Sequence, residues 1–200
     1  MELVKGKNTK KAPPKGYHIQ ITLQDVSPKI WREVVVSSDM TLDLLHLVLQ
    51  IAMGWLDCHL HAFIKDKKFY SIPDDEDFDD YGRKDLDSSQ YAISDLLSKQ
   101  EDFIEYMYDM GDGWEHKIKL KKIVDESPEH PFCIGGARAC PPEDVGGSIG
   151  YENFLAALND PEHDMHEEYI EWVGGEFDPE AFDLEEINDA LEDFDEMVNF

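Results

Sequence analysis

The chain has 200 residues, 45 Asp and Glu against 18 Lys and Arg, and a net charge of −27. That is the length of one domain, and the charge opposes duplex nucleic acid over most of the surface. No apolar run approaches the roughly 20 residues a membrane-spanning helix needs. The three cysteines, Cys58, Cys133 and Cys140, are too few and too scattered for a secreted disulfide framework.

Residues 1–15 carry Lys5, Lys7, Lys10, Lys11 and Lys15 with Pro13 and Pro14, and read as a flexible basic tail without the apolar segment of a signal peptide. A cytoplasmic location without membrane association is expected. Residues 16–200 read as a single domain. From Tyr17, apolar and polar residues alternate (Tyr17, Ile19, Ile21, Leu23 against His18, Gln20, Thr22, Gln24), which predicts a half-buried strand. Ile30 to Val36 is rich in β-branched residues and predicts a second.

A helix is predicted over 42–53, with Asp39 or Thr41 as its cap and Gly54 as its stop. It is apolar nearly all round except for one stripe, Asp43, His46 and Gln50. His59 to Lys65 and Phe69 to Ile72 predict a hairpin around Asp66-Lys67. Residues 73–90 predict a mobile acidic loop, and a short helix follows over about 92–99.

Phe103 to Tyr108 and Trp114 to Val124 predict a hairpin turning at Gly111-Asp112-Gly113, because Gly and Asp tolerate the positive φ of a tight turn. On its second strand Trp114, His116, Ile118 and Leu120 face inward, and Glu115, Lys117, Lys119 and Lys121 face outward. A Gly-, Pro- and Cys-rich loop spans about 127–150, and helices are predicted near 151–158, 163–172 and 180–195. The fold class expected is α+β: a mostly antiparallel sheet built from hairpins, helices on one face, and an acidic helical C-terminal segment.

Several tracts together resemble one family: Pro28 to Arg32, the Leu42 to Trp55 helix, His59-Leu60-His61, Tyr108 to His116 (Tyr-Asp-Met-Gly-Asp-Gly-Trp-Glu-His), Cys140 to Gly147 (Cys-Pro-Pro-Glu-Asp-Val-Gly-Gly), Gly150-Tyr151-Glu152, His163 to His166, Trp172, and Phe177-Asp178-Pro179. The chain resembles the plasmid pRiA4b ORF-3-like family over about residues 17–190; its members are often labelled transposon passenger or resolvase-like (TnpR-like) proteins. The resemblance implies an α+β fold and an association with plasmids and mobile elements. It implies no particular activity. Serine-resolvase chemistry needs an arginine-rich site, and this chain has only Arg32, Arg83 and Arg138. Family members often carry a cysteine where this chain has Val145, so a thiol-based metal site would be one ligand poorer here.

The candidate site comprises His46, His59, His61, Asp109, Asp112, Trp114 and His116. His59 and His61 are two apart on a predicted strand, and His116 and Trp114 share an inward face. Two imidazoles and a carboxylate suffice for a divalent metal such as zinc, so His59, His61 and His116 are the candidate ligands. The competing structural reading is packed histidines bonded to backbone, and turn aspartates at 109 and 112. His163, His166 and Glu167 share the first turn of a predicted helix, without the spacing of zinc proteases. No phosphate loop, dinucleotide fingerprint or nucleophile elbow is present.

The acidic balance fits a solvated surface, a basic partner protein or nucleic-acid mimicry, or adaptation to a salty cytoplasm. The function expected is a non-enzymatic protein- or peptide-interaction module; the alternative is a metal-dependent hydrolase or nuclease-like enzyme using the His/Asp cluster.

Overall fold

The computed structural model describes residues 12–72, 84–194 and 198. The Lys-rich start through residue 11 and most of the predicted acidic loop, 73–83, lie outside the described residues.

Among the described residues, eight strands form one sheet. They are β1 (Gly16–Leu23), β2 (Trp31–Ser37), β3 (His61–Lys65), β4 (Lys68–Ser71), β5 (Leu86–Asp87), β6 (Phe103–Tyr108), β7 (Trp114–Val124) and β8 (Phe132–Ala137). Their order is β5-β4-β3-β6-β7-β1-β2-β8, and every pairing is antiparallel except β4 with β5. The described residues also hold five α-helices: α1 (Leu42–Met53), α2 (Ile93–Leu96), α3 (Gly147–Asn159), α4 (His166–Trp172) and α5 (Leu184–Glu192). The expected α+β class is what the chain adopts.

The alternation read from the sequence sets the inner face. Ile19, Ile21, Leu23, Ile118 and Leu120 are buried, and Lys117 is exposed. A bulge between His18 and Ile19 shifts the register against β7 near Lys121. The β3–β4 turn places Asp66 and Lys67 at φ 50° and 64°, the left-handed pair that suits a two-residue hairpin. Helix α1 ends at Gly54, whose φ of 90° lets its N–H close on Gln50 O at 2.8 Å. Thr41 occupies the N-cap without a side-chain bond, and Asp39 instead accepts from Ser37.

Three expectations are corrected. Residues 84–90 are not all loop: β5 pairs with β4, and a 3-10 turn follows with Asp87 accepting from Ser89 N. The Gly-rich 127–150 tract contains β8, because Gly136 leaves room for Phe182 and Arg32, whose atoms would lie 2.4 and 2.9 Å from an added Cβ. Helix α3 begins at Gly147 rather than 151, and His163 precedes α4, where its Nδ1 accepts from Met165 N.

Buried Arg32 fixes the end of the molecule where the candidate residues gather. Its Nε donates to Ala52 O at the C-terminal end of α1 (2.8 Å), and its other nitrogens donate to Trp31 O, Ala137 O and Arg138 O. A guanidinium can serve three segments at once because its donors form a rigid planar fork. The segment after β8 is thereby held beside the end of α1, where Trp55 Nε1 donates to Pro141 O at 3.0 Å.

Candidate functional site

Three loops converge at this end: residues 54–60 after α1, 109–113 between β6 and β7, and 138–146 before α3. The hairpin turn is closed by Gly113 N donating to Asp109 O and Gly111 N to Asp109 Oδ1, with Asp109 at φ 55°. Asp112 Oδ2 accepts from Gly146 N at 2.9 Å and ties the third loop to this turn.

His59 stands at the centre. Its Nε2 lies 3.3 Å from Asp144 Oδ1, 3.7 Å from Glu143 Oε2 and 3.8 Å from Asp109 Oδ2. Neither His59 Nε2 nor Glu143 Oε2 has a hydrogen-bond partner, although both atoms are buried. Glu143 is aimed by its other oxygen, which accepts from Leu56 N and from Tyr108 Oη, each at 2.9 Å. Burial raises the Tyr108 hydroxyl above its ordinary range, and the bond to Glu143 acts the same way, so Tyr108 remains the donor. Asp144 is 71% exposed on its side chain and Asp109 only 9%, so the cluster has an open side and a closed side. Among the described residues no Lys or Arg pairs with these three carboxylates.

A second group lies along the same loop. His46 Nε2 donates to Asp57 Oδ1 at 2.6 Å, while its Nδ1 accepts from Tyr106 Oη at 2.8 Å. Gln50 Nε2 donates to the same Tyr106 oxygen, and Gln50 Oε1 accepts from Asp57 N. His61 stacks on His46 with ring centroids 3.4 Å apart. Burial lowers the His46 pKa despite Asp57, and burial together with His46 lowers His61 to about 3, so both rings are neutral. The helix stripe seen in the sequence is therefore the inner face of this network.

The predicted residues thus fall into separate roles. His59 and Asp109 meet in the carboxylate cluster, and His46 and His61 form the stacked pair. Asp112 is a tether. Trp114 and His116 form the floor: His116 sets its edge against Trp55, and its Nδ1 is directed at Trp114 O (3.1 Å) and Tyr106 O (3.3 Å). Burial lowers the His116 pKa to about 4. The two-residue spacing of His59 and His61 does not put them on one strand face, because β3 starts at His61 and His59 lies in the preceding loop.

Groups of potential ligand atoms within 4.8 Å of one another are His46–Asp57–His61, Cys58–His59–Glu143 and His59–Asp109–Asp144. They divide His59 and His61 between them, and none includes His116. Asp57, Cys58, Glu143, Asp144, Tyr106 and Tyr108 were not singled out as site residues by the sequence. The available signal was Glu143-Asp144 set between two prolines and two glycines, which reads equally well as a shaped turn.

The fold and this cluster define an α+β domain that gathers acidic and imidazole groups where three loops meet beside one end of its sheet. The chain belongs to the plasmid pRiA4b ORF-3-like family, whose model matches residues 15–186. It is 38% identical over 181 residues to the uncharacterized protein y4hQ of Sinorhizobium fredii, covering 88% of this chain and 90% of that one. It is also similar to the crystal structure of a protein of unknown function, MM3350, from Methanosarcina mazei Go1, with 35% identity and a TM-score of 0.75. That likeness covers 86% of this chain and 96% of the other. Among the described residues no helix is long and apolar enough to cross a membrane.

Proposed function

We propose that this domain is a divalent-metal-dependent hydrolase whose ion is held by His59, Asp109 and Asp144, with Glu143 beside the same imidazole. One observation carries the reading: an imidazole nitrogen with no hydrogen bond faces three carboxylate oxygens at 3.3–3.8 Å. Ligands about 2.1 Å from a tetrahedral ion are about 3.4 Å apart, and the ligand atoms of His59, Asp109 and Asp144 lie within 4.8 Å of one another, close to that spacing. A cation would also neutralise carboxylates that no basic side chain among the described residues meets. The exposed Asp144 side leaves positions for water and substrate, and a bound divalent ion lowers the pKa of that water toward neutrality. A cytoplasmic setting suits the exposed free thiol of Cys58.

The test uses untagged protein. About one Mn²⁺ per chain is expected by titration calorimetry, with binding lost in Asp109→Asn and Asp144→Asn. Metal-dependent cleavage of p-nitrophenyl esters or of bis-p-nitrophenyl phosphate should follow the same variants. A folded protein that takes up no ion at millimolar metal sinks the reading.

A second reading, a protein- or peptide-interaction module, is supported by exposed apolar residues on the same loops and the adjoining start of α3: Leu56 (79%), Leu60 (74%), Met110 (46%) and Ile149 (74%). On this reading the partner is a basic protein rather than duplex nucleic acid, given the net charge of −27. Metal-independent binding of a lysine-rich peptide, abolished by Leu60→Asp and unaffected by Asp109→Asn, would favour it.

A further inference from the structure

The two ligand groups built on His59 differ in chemistry. One, His59–Asp109–Asp144, supplies oxygen and nitrogen. The other, Cys58–His59–Glu143, adds sulfur. Cys58 is exposed and free, with its backbone N donating to Tyr108 Oη at 3.2 Å and its Sγ 3.9 Å from the same oxygen. Tyr108 therefore touches both Cys58 and Glu143, and it holds the thiol on the side of His59 where Glu143 Oε2 is unpartnered. The thiol is not placed there by packing, because its side is open to solvent.

Building on the metal reading above, we propose that the two groups are alternative ion positions sharing His59, and that Cys58 selects which ions take the second. Hard ions such as Mn²⁺ or Mg²⁺ are held by His59, Asp109 and Asp144. Borderline and soft ions such as Zn²⁺, Co²⁺ and Cd²⁺ are held by Cys58 as thiolate with His59 and Glu143, since soft sulfur favours them. The thiol gives up its proton to solvent as the sulfur–metal bond forms, so uptake of these ions releases one more proton than uptake of Mn²⁺. Selectivity then resides in one side chain beside a shared imidazole.

The experiment titrates Co²⁺ and Mn²⁺ into the full chain and into Cys58→Ser, with reducing agent present. Cys58 is exposed, so the serine variant is expected to keep its fold, checked by circular dichroism. The wild type should show a near-ultraviolet thiolate-to-cobalt charge-transfer band. Cys58→Ser should lose the band and bind Co²⁺ about tenfold or more weakly while its Mn²⁺ affinity is unchanged. Cobalt binding without the band, or equal affinity in both proteins, overturns the role of Cys58 and leaves the metal reading standing. Absence of both Co²⁺ and Mn²⁺ binding overturns the two together.

Discussion

His46 and His61 lie ring on ring, 3.4 Å between centroids and 8° from parallel. Two imidazoles stacked this closely, and buried, cannot both take up protons. His46 satisfies its nitrogens through Tyr106 and Asp57, whereas His61 Nε2 has no partner. The pair is a neutral pair by construction.

Stability should fall on acidification. His46, His61 and His116 all have folded pKa values below the ordinary 6.5, His61 at about 3 and His116 at about 4. The unfolded chain binds these protons first, so each ring costs nothing above pH 6.5 and destabilises the fold progressively below it. The loss is about 1 kcal/mol per pH unit per histidine until the folded pKa is reached. Urea unfolding between pH 7 and pH 5 measures it. His61→Gln should flatten the slope relative to wild type, and an unchanged slope would refute the role of the stacked pair.

Arg32→Lys should destabilise by about 3 kcal/mol, because an ammonium cannot span the carbonyls of Ala52, Ala137 and Arg138. The urea midpoint reports this at constant m-value. A shift equivalent to less than about 1 kcal/mol would show that the guanidinium is not the clamp.

Gly147→Ala should be costly for two reasons. The backbone is at φ 67°, and an added Cβ would meet Asp112 O at 2.5 Å. A loss of about 2 kcal/mol or more is expected, against about 1 kcal/mol for Asp112→Ala, which removes only the bond to Gly146 N. Thermal unfolding of the two variants side by side tests the order.

Tyr108→Phe should leave the fold intact and weaken Co²⁺ binding about 10–100-fold, since it removes a donor that aims Glu143 at His59. Calorimetric titration checks this. Equal Co²⁺ affinity in the variant would mean that Leu56 N alone orients the carboxylate.

The hairpins were legible because alternation and turn chemistry are local. Tyr17 to Leu23 and Trp114 to Leu120 declare their faces, and Asp66-Lys67 and Gly111-Asp112-Gly113 declare their turns. Strand β8 was hidden because Gly135 and Gly136 carry no side chain to alternate, and Gly136 is required by Phe182, far along the chain. At the site, His59, His61, His46 and Asp109 were visible as reactive residue types. Their grouping was not, because it depends on Glu143 and Asp144 arriving from a distant loop. Asp57, Asp109 and Asp144 also sit at φ 53°, 55° and 58°, so each has the conformation of a turn aspartate as well as a carboxylate in a cluster. No local pattern separates those two uses.

Trp55 meets Pro141 across 86 residues of sequence, and Leu56 meets Glu143 across 87. Contacts of such span must offset the entropy of closing a long loop, and they slow folding relative to local pairing. The His59 cluster is consequently a late event in the life of each molecule: a nascent chain that has emerged only as far as β7 holds its hairpins, His59 and Asp109 but neither Glu143 nor Asp144. Ion uptake during refolding should track complete assembly of the domain rather than formation of the sheet, which makes the cluster a natural timer for the last step of folding.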